Sequence, residues 1–164
     1  QRQMCIRDRF KGISESLRRP VSPGTLSLLM DPEHPLFKNF PTDAQTNWQW
    51  WSVIKSSRPL ILDLAPSDLN PIVQVVDNME RNHKLGLIFE MGIGKGKLLV
   101  CMADPEALRK TPEGRQLYSS LVSYVQSRDF NPKMICSPEE FKALFSGNTL
   151  SPNIKNVDNV TDYK

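Results

Sequence analysis

Four short apolar segments between residues 59 and 102 constrain the fold of this chain more than any other feature. They cover residues 59–64, 72–77, 85–91 and 96–102. Their length, their β-branched content and the Pro, Gly and polar residues around them predict strands. Because apolar residues fill successive positions instead of alternate ones, we expect a sheet that is covered on both faces. Gly92, Gly94 and Gly96 predict a hairpin between the last two strands, since glycine tolerates the positive φ of tight loops.

Turn and capping residues predict three further elements. A strand is expected over residues 25–30, where an apolar run ends at an Asp-Pro pair. Asp43 is a candidate N-cap, which predicts a helix over residues 44–55. A Ser-Pro-Glu-Glu sequence at residues 137–140 predicts a short helix that ends at Gly147.

A longer helix is predicted from Thr111 to about Gln126. The threonine hydroxyl, the proline after it and the acid that follows are the residues favoured at a helix N-terminus. Leu117, Leu121 and Val125 recur every four residues, so we expect this stripe to face the core.

The 164 residues divide into four parts by composition. Residues 4–9 read Met-Cys-Ile-Arg-Asp-Arg and resemble a translated sequencing-adapter artefact, so residues 1–9 are excluded from the fold. The predicted parts are an artefact segment at 1–9, a linker or partial element at 10–24, an α/β accessory domain at 25–146 and a flexible tail at 147–164.

The charge of the chain does not indicate a nucleic-acid partner. The formal net charge is +3, but residues 1–9 contain three arginines and one aspartate, which leaves +1 for the remainder. Binding to phosphates needs a clustered basic face, and none is apparent. No apolar run reaches the roughly 18 residues of a membrane span, so none is expected.

No residue pattern predicts catalysis, a cofactor or a metal site. The glycines at 92–96 lack the spacing and the following helix of a phosphate-binding loop. Cys101 and Cys136 lie outside any zinc-ligand spacing, and Cys101 is predicted to be a small buried apolar residue. Carboxylates near strand ends and the two histidines are interpreted as structural, because convergence of acids cannot be read from spacing alone. These residues are Asp63, Asp77, Glu90, Asp104, His34 and His83.

The three tryptophans are the most unusual local feature. Asn47, Trp48, Gln49, Trp50 and Trp51 are consecutive. On a helix, Trp48 and Trp51 would share a face while Trp50 would point elsewhere. Two interpretations stay open: packing in the core or against another domain, or a platform for sugar stacking with Asn47 or Gln49 bonding hydroxyls.

Several segments together resemble one known family. Residues 31–42 (DPEHPLFKNFPT) followed by residues 47–51 (NWQWW) resemble the C-terminal part of glycoside hydrolase family 2 proteins. The closest similarity is to β-galactosidase-like, sugar-binding-domain proteins of gut Bacteroidetes. Residues 71–78, 89–104 and 115–117 match the same pattern, and the resemblance covers about residues 20–145.

The resemblance implies a fold and a setting for the chain. It implies part of a flavodoxin-like or glutamine-amidotransferase-like three-layer α/β domain, with a mainly parallel sheet and a C-terminal hairpin. The domain would follow a catalytic barrel in the same polypeptide, and that barrel would carry the catalytic glutamates. The parent protein would be periplasmic or extracellular.

The same resemblance suggests three functions. The leading expectation is a non-catalytic accessory domain that packs on the barrel, shapes its cleft or mediates homo-oligomerisation. A carbohydrate-binding module is the second. An independent amidotransferase-like enzyme is the third. Active enzymes of the amidotransferase type carry a glycine-flanked cysteine and a His-x-Glu sequence, and both are missing here.

Overall fold

The computed structural model describes residues 27–54, 57–63, 65–77 and 83–145. The predicted artefact segment, linker and tail, and the first part of the strand predicted at 25–30, lie outside these residues. Within them the chain is a mixed α/β fold with one six-stranded sheet and four α-helices. The strands are β1 (Leu28–Met30), β2 (Leu60–Ile61), β3 (Val73–Val76), β4 (Lys84–Ile93), β5 (Gly96–Cys101) and β6 (Ile135–Cys136). The α-helices are α1 (Trp51–Ile54), α2 (Pro105–Lys110), α3 (Pro112–Gln126) and α4 (Pro138–Phe145).

The ten-residue strand β4 organises the sheet. It pairs with β2, β3, β5 and β6, while β1 joins the sheet through β3. Gly86 pairs with both β2 and β3, Ile88 with both β3 and β5, and Gly92 with both β5 and β6. Strands that share one partner residue lie on opposite sides of it. Therefore β3 and β6 follow one side of β4, and β2 and β5 follow the other.

The predicted mainly parallel sheet is wrong. Every pair is antiparallel except the one between β4 and β6. Parallel neighbours need a crossover of about a dozen residues or more, usually with a helix. Only Gly94 and Lys95 separate β4 from β5, and seven residues separate β3 from β4, so both connections are too short. The parallel strand β6 is the one reached after α2 and α3.

Two clusters of buried side chains form the core. The first core cluster joins β1, β3 and the first half of β4 to α2, α3 and residues 36–54, and contains Leu36, Trp50, Leu108, Leu117 and Tyr124. The second core cluster packs against α4 and the segment after β2, and contains Leu60, Leu62, Leu69, Phe89, Met91 and Cys136. Both faces of the sheet are thus covered, as the continuous apolar strands predict.

A register shift changes which residues of β4 face each cluster. Val73 pairs with Ile88, whereas Gln74 pairs with Gly86, so Leu87 has no partner on β3. One extra residue in a strand reverses the alternation of its side chains beyond that point.

Side-chain positions in β4 follow this reversal. Leu85 and Leu87 belong to the first cluster, and so does Ile88 immediately after the shift. Phe89 and Met91 belong to the second cluster. A continuous alternation would have placed residues 85, 87, 89 and 91 on one face, so the bulge explains why the adjacent residues Leu87 and Ile88 lie in the same cluster.

The predicted start signals at Thr111 and Ser137 are confirmed, but one predicted helix face is wrong. The Thr111 hydroxyl accepts a hydrogen bond from the Gly114 N–H at 3.1 Å and so caps α3. The buried face of α3 includes Leu117, Leu121 and Tyr124, whereas Val125 is exposed. The prediction that Val125 faces the core is wrong, because the stripe that packs on the sheet is centred one position earlier.

The helix predicted over residues 44–55 is also wrong in its extent. Residue 45 forms an isolated bridge with Leu29, and a 3-10 helix begins only at Trp48 and leads into α1. Asp43 does not cap a helix, because its carboxylate accepts a hydrogen bond from the Asn47 side chain instead. Residues 44–46 run alongside β1, and they take the place of about one helical turn.

Candidate functional site

The three tryptophans separate into one buried and two exposed side chains. Trp50 is fully buried, whereas Trp48 is 88% exposed and Trp51 is 44% exposed. The exposed rings lie with their centroids 6.5 Å apart and their planes tilted by 56°. The structure confirms that Trp48 and Trp51 share a face, which we call the Trp48–Trp51 surface.

Trp50 fixes this segment to the first core cluster. Its ring meets Phe40 edge-on at 5.2 Å and Phe37 at 6.2 Å between centroids. Its indole N–H donates a hydrogen bond to the Thr42 hydroxyl at 2.8 Å. Edge-to-face contacts add about 0.5–1.5 kcal/mol each beyond the area they bury. The exposed pair therefore stands on a rigidly held backbone.

The two amides beside the tryptophans make hydrogen bonds within their own loop. The Gln49 Nε2 donates to the Pro41 carbonyl at 2.8 Å, and the Asn47 Nδ2 donates to Asp43 at 3.2 Å. The Asn47 Oδ1 is buried and has no hydrogen-bond partner in the part of the chain that the structure describes. Both amide N–H groups thus hold the loop, which leaves fewer donors for an external hydroxyl.

A shallow groove of about 440 Å³ lies next to this loop. Its lining includes Glu33, His34, Phe37, Lys38, Pro41 and Thr42. The His34 Nδ1 accepts a hydrogen bond from the Leu36 N–H at 3.2 Å and caps the 3-10 helix Pro35–Asn39. Burial lowers the pKa of His34, although Glu90 and Asp31 oppose that effect. The histidine thus has a capping role.

Two of the carboxylates near strand ends, Asp63 and Asp77, meet at His83, whereas Asp104 has a partner of its own. Asp63 accepts hydrogen bonds from the His83 ring at 2.5 Å and from the Lys84 N–H at 2.8 Å. Asp77 accepts one from the His83 N–H, and Asp104 caps α2 through the Glu106 N–H. The Asp63 and Asp77 interactions fasten the start of β4.

Glu90 lies on the other half of β4, beneath α3. It accepts a hydrogen bond from the Tyr124 hydroxyl at 2.8 Å. Burial, together with this bond and the charge of Glu90, raises the pKa of Tyr124. Glu90 therefore serves as an anchor for α3, and its hydrogen-bond partner in the described part of the chain is a phenol and not the second carboxylate that a glycosidase pair requires.

The cysteine environments disfavour thiolate chemistry. Burial raises the pKa of Cys101, against a smaller opposing effect of a backbone hydrogen bond with Ala103. Burial and the charge of Glu140 raise the pKa of Cys136. A nucleophilic cysteine needs a lowered pKa and access to solvent. Among the described residues there is no group of three or more His, Cys, Asp or Glu side chains placed to hold a metal ion.

Sequence reasoning identified the tryptophans but missed what positions them. Phe37, Phe40 and Thr42 hold Trp50, whereas residues 31–42 were used only for the family resemblance. The signal was present, since aromatic residues at 37 and 40 precede a hydroxyl at 42 in a proline-rich segment.

The described helices include none long and apolar enough to cross a membrane.

The fold and the Trp48–Trp51 surface define a small mixed α/β domain that presents an exposed aromatic pair. The model of a protein family described as "Domain of unknown function (DUF8487)" matches residues 10–146. The chain belongs to this family. No curated protein matches the chain.

Proposed function

We propose that this chain is a non-catalytic accessory domain that docks against a neighbouring protein domain through the Trp48–Trp51 surface. The 88% exposure of Trp48 carries the proposal. An indole left in water keeps a large unburied apolar area, and tryptophan is among the residues most enriched at the centres of protein interfaces. The buried neighbour Trp50 holds the exposed pair in place, which lowers the conformational entropy lost on docking.

The neighbouring domain proposed here is the catalytic barrel of a family 2 glycoside hydrolase in the same polypeptide. The similarity of residues 31–42 and 47–51 to that family supports this choice. The barrel would hydrolyse O-glycosidic bonds, in the manner of a β-galactosidase, with its own glutamates. This domain would stabilise the barrel or shape the rim of its cleft.

A carbohydrate-binding module is the second candidate, because an open indole face can also stack on a sugar ring. The hydrogen bonds in the loop favour docking of protein over sugar. The amide groups of Asn47 and Gln49 that could bond hydroxyls donate instead to Asp43 and Pro41. The 56° tilt also prevents the two rings from forming one flat platform.

The decisive experiment joins the domain to the region encoded upstream in its own gene. Trp48→Ala and Trp51→Ala are compared with Tyr118→Ala, a matched control on α3 whose ring is 52% exposed. Docking predicts that the tryptophan variants expose the interdomain linker to limited proteolysis and lower the thermal midpoint of the joined protein, while the control does neither. Identical behaviour of all three variants would contradict the proposal.

A titration separates the two candidates. Galactosides and pectic or hemicellulosic oligosaccharides are added to the isolated chain while tryptophan fluorescence is followed. Docking of protein predicts a flat response in both the unmodified chain and Trp48→Ala. A saturable change that Trp48→Ala abolishes would instead support the carbohydrate-binding module.

A further inference from the structure

The outer edge of β5 is an open sheet edge. Of the described strands, β4 alone pairs with β5. At the far end of the sheet, residues 44–46 cover the edge of β1, where the Met30 N–H bonds the Ala44 carbonyl and the Leu28 N–H bonds the Thr46 hydroxyl. Among the described residues, one edge is thus closed by the chain itself, and the other offers backbone groups to a further strand as far as Cys101, beyond which the Arg58 N–H bonds the Met102 carbonyl at 3.0 Å.

The hairpin register identifies which backbone groups face outward. Ile93 and Gly96 close the two-residue loop, so they form a pair that exchanges both hydrogen bonds with each other. Alternation along β5 then directs the N–H and C=O groups of Lys97, Leu99 and Cys101 away from β4.

Two observed hydrogen bonds support this assignment. The Gly92 N–H, opposite Lys97, turns away from β5 and bonds the Met134 carbonyl at 2.8 Å. The Met102 N–H, one residue beyond Cys101, turns toward β4 and bonds the Leu87 carbonyl at 2.8 Å. The outward groups of Lys97, Leu99 and Cys101 have no backbone partner among the described residues.

Lys97, the one charged residue of β5, does not block the pairing of this edge with another strand. Edge strands commonly carry a lysine that blocks pairing with another chain. The Lys97 Nζ instead donates to the Phe130 carbonyl at 2.9 Å and to the Asn131 Oδ1 at 3.0 Å. Both acceptors precede β6, on the other side of β4, and Lys97 reaches them across Gly92, which has no side chain. The edge beyond it presents the half-buried apolar residues 98–101.

We propose that the outer edge of β5 pairs antiparallel with β5 of a second copy of this chain, about a two-fold axis at Leu99. This register sets Leu99 opposite its counterpart and Lys97 opposite Cys101 of the second copy. It uses all three outward residues, for about six hydrogen bonds, and joins the two sheets into one continuous sheet. A register centred one residue earlier or later would use fewer outward residues.

The charges near the edge favour the antiparallel self-pairing. Lys95, in the exposed hairpin loop, comes beside Asp104 of the second copy, just past the far end of β5. The two Lys97 residues lie at opposite ends of the paired strands, whereas a parallel pairing would bring them side by side. Opposite charges meet and like charges stay apart, as a self-complementary two-fold interface requires.

The first test is the mass of the whole chain in solution, measured by light scattering across a concentration series. We expect twice the 18.7 kDa of one chain. Leu99→Pro removes an outward N–H without removing a bond to β4, so it should give the single-chain mass, while Leu99→Val should keep the doubled mass. A single-chain mass for the unmodified protein at every concentration up to about 0.1 mM would overturn the proposal, since that excludes even micromolar affinity.

A cysteine test does not depend on Leu99→Pro folding. The background chain carries Cys5→Ser, Cys101→Ser and Cys136→Ala. In it, Leu99→Cys places one cysteine of each copy opposite the other, with their Cα atoms about 5.5 Å apart, which is within disulfide range. The matched control Val100→Cys places them about 8 Å apart, outside that range. Mild oxidation should link the first variant and not the second, and equal linking of both would overturn the register.

The dimer is independent of the docking proposed for the Trp48–Trp51 surface. Trp48→Ala should leave the doubled mass unchanged, because the tryptophans lie near β1, at the other end of the sheet. Loss of the dimer in Trp48→Ala would place the interface elsewhere and contradict the pairing through β5.

Discussion

The indole N–H of Trp50 donates a 2.8 Å hydrogen bond to the hydroxyl of Thr42, eight residues earlier in the chain. This bond joins the proline-rich turn to the tryptophan segment, and the rings of Phe37 and Phe40 pack around it. The exposed Trp48 and Trp51 depend on this anchor for their position.

The buried and exposed tryptophans are predicted to differ in their contribution to stability. Trp50→Ala should lower the free energy of unfolding by about 3–5 kcal/mol, because it opens a cavity in the first core cluster. Trp48→Ala should change it by no more than about 0.5 kcal/mol, as is usual for surface positions. Urea denaturation followed by circular dichroism measures both, and similar losses would contradict the assignment of Trp50 as anchor.

The capping role of His34 predicts a loss of stability in acid. Burial lowers the pKa of His34 below its usual 6.5, so the unfolded chain binds a proton more readily than the folded one. Stability should therefore fall as the pH drops below about 6.5, and protonation at Nδ1 also removes the bond from the Leu36 N–H.

His34→Asn provides the matched variant for this prediction. Asparagine can cap the same N–H with an oxygen that does not titrate in this range. Urea midpoints at pH 5.5 and 7.5 should differ less in the variant than in the unmodified chain. An unchanged difference would assign the acid sensitivity to other groups.

Two glycines predict contrasting costs of added side chains. A Cβ at Gly114 would lie 2.6 Å from the Leu108 carbonyl oxygen and 2.7 Å from the Leu108 Cα, and neither backbone atom can move freely. Gly114→Ala should therefore lower the free energy of unfolding by about 1–3 kcal/mol, because the added Cβ overpacks this contact. Gly94 has a φ of 59° and open space around it, so Gly94→Asn should be nearly neutral. Thermal unfolding compares them, and equal midpoints would contradict the close contact of α2 with α3.

The two described cysteines are predicted to react slowly in the folded chain. Burial raises the pKa of both thiols, so little thiolate is present near neutral pH. Alkylation at pH 8 should be at least about tenfold slower in the native state than in urea. Mass spectrometry of peptides that contain Cys101 and Cys136 measures the rates. Rapid native reaction at Cys101 would reopen the amidotransferase-like interpretation.

Local signals in the sequence predicted most element positions. The strands at β3, β4 and β5, the hairpin at Gly94 and the helix begun by Thr111 all follow from short-range chemistry. Two elements were missed. Helix α2 begins at Asp104-Pro105, a capping side chain followed by proline as at the start of α3. The strand β6 has only two residues, which is too short for periodicity to reveal it.

The direction of the strands depended on information that local patterns do not carry. Continuous apolar runs indicate a strand buried on both faces, and parallel sheets are the common case. Here an antiparallel sheet that is covered on both faces by the two core clusters produces the same pattern. The separation of Trp50 from Trp48 and Trp51 followed from helical spacing. Which of these rings is buried depends on the aromatic contacts that hold Trp50, and those come from a separate turn.

The position of β4 between the two core clusters has a consequence for folding cooperativity. One strand supplies side chains to both core clusters, so neither cluster can melt while the other keeps β4 in place. Native-state hydrogen exchange should therefore show the amides of β4 opening only with global unfolding, as a single cooperative unit. Substitutions on opposite faces of β4, such as Leu85→Ala and Met91→Ala, should shift one shared transition and not produce two.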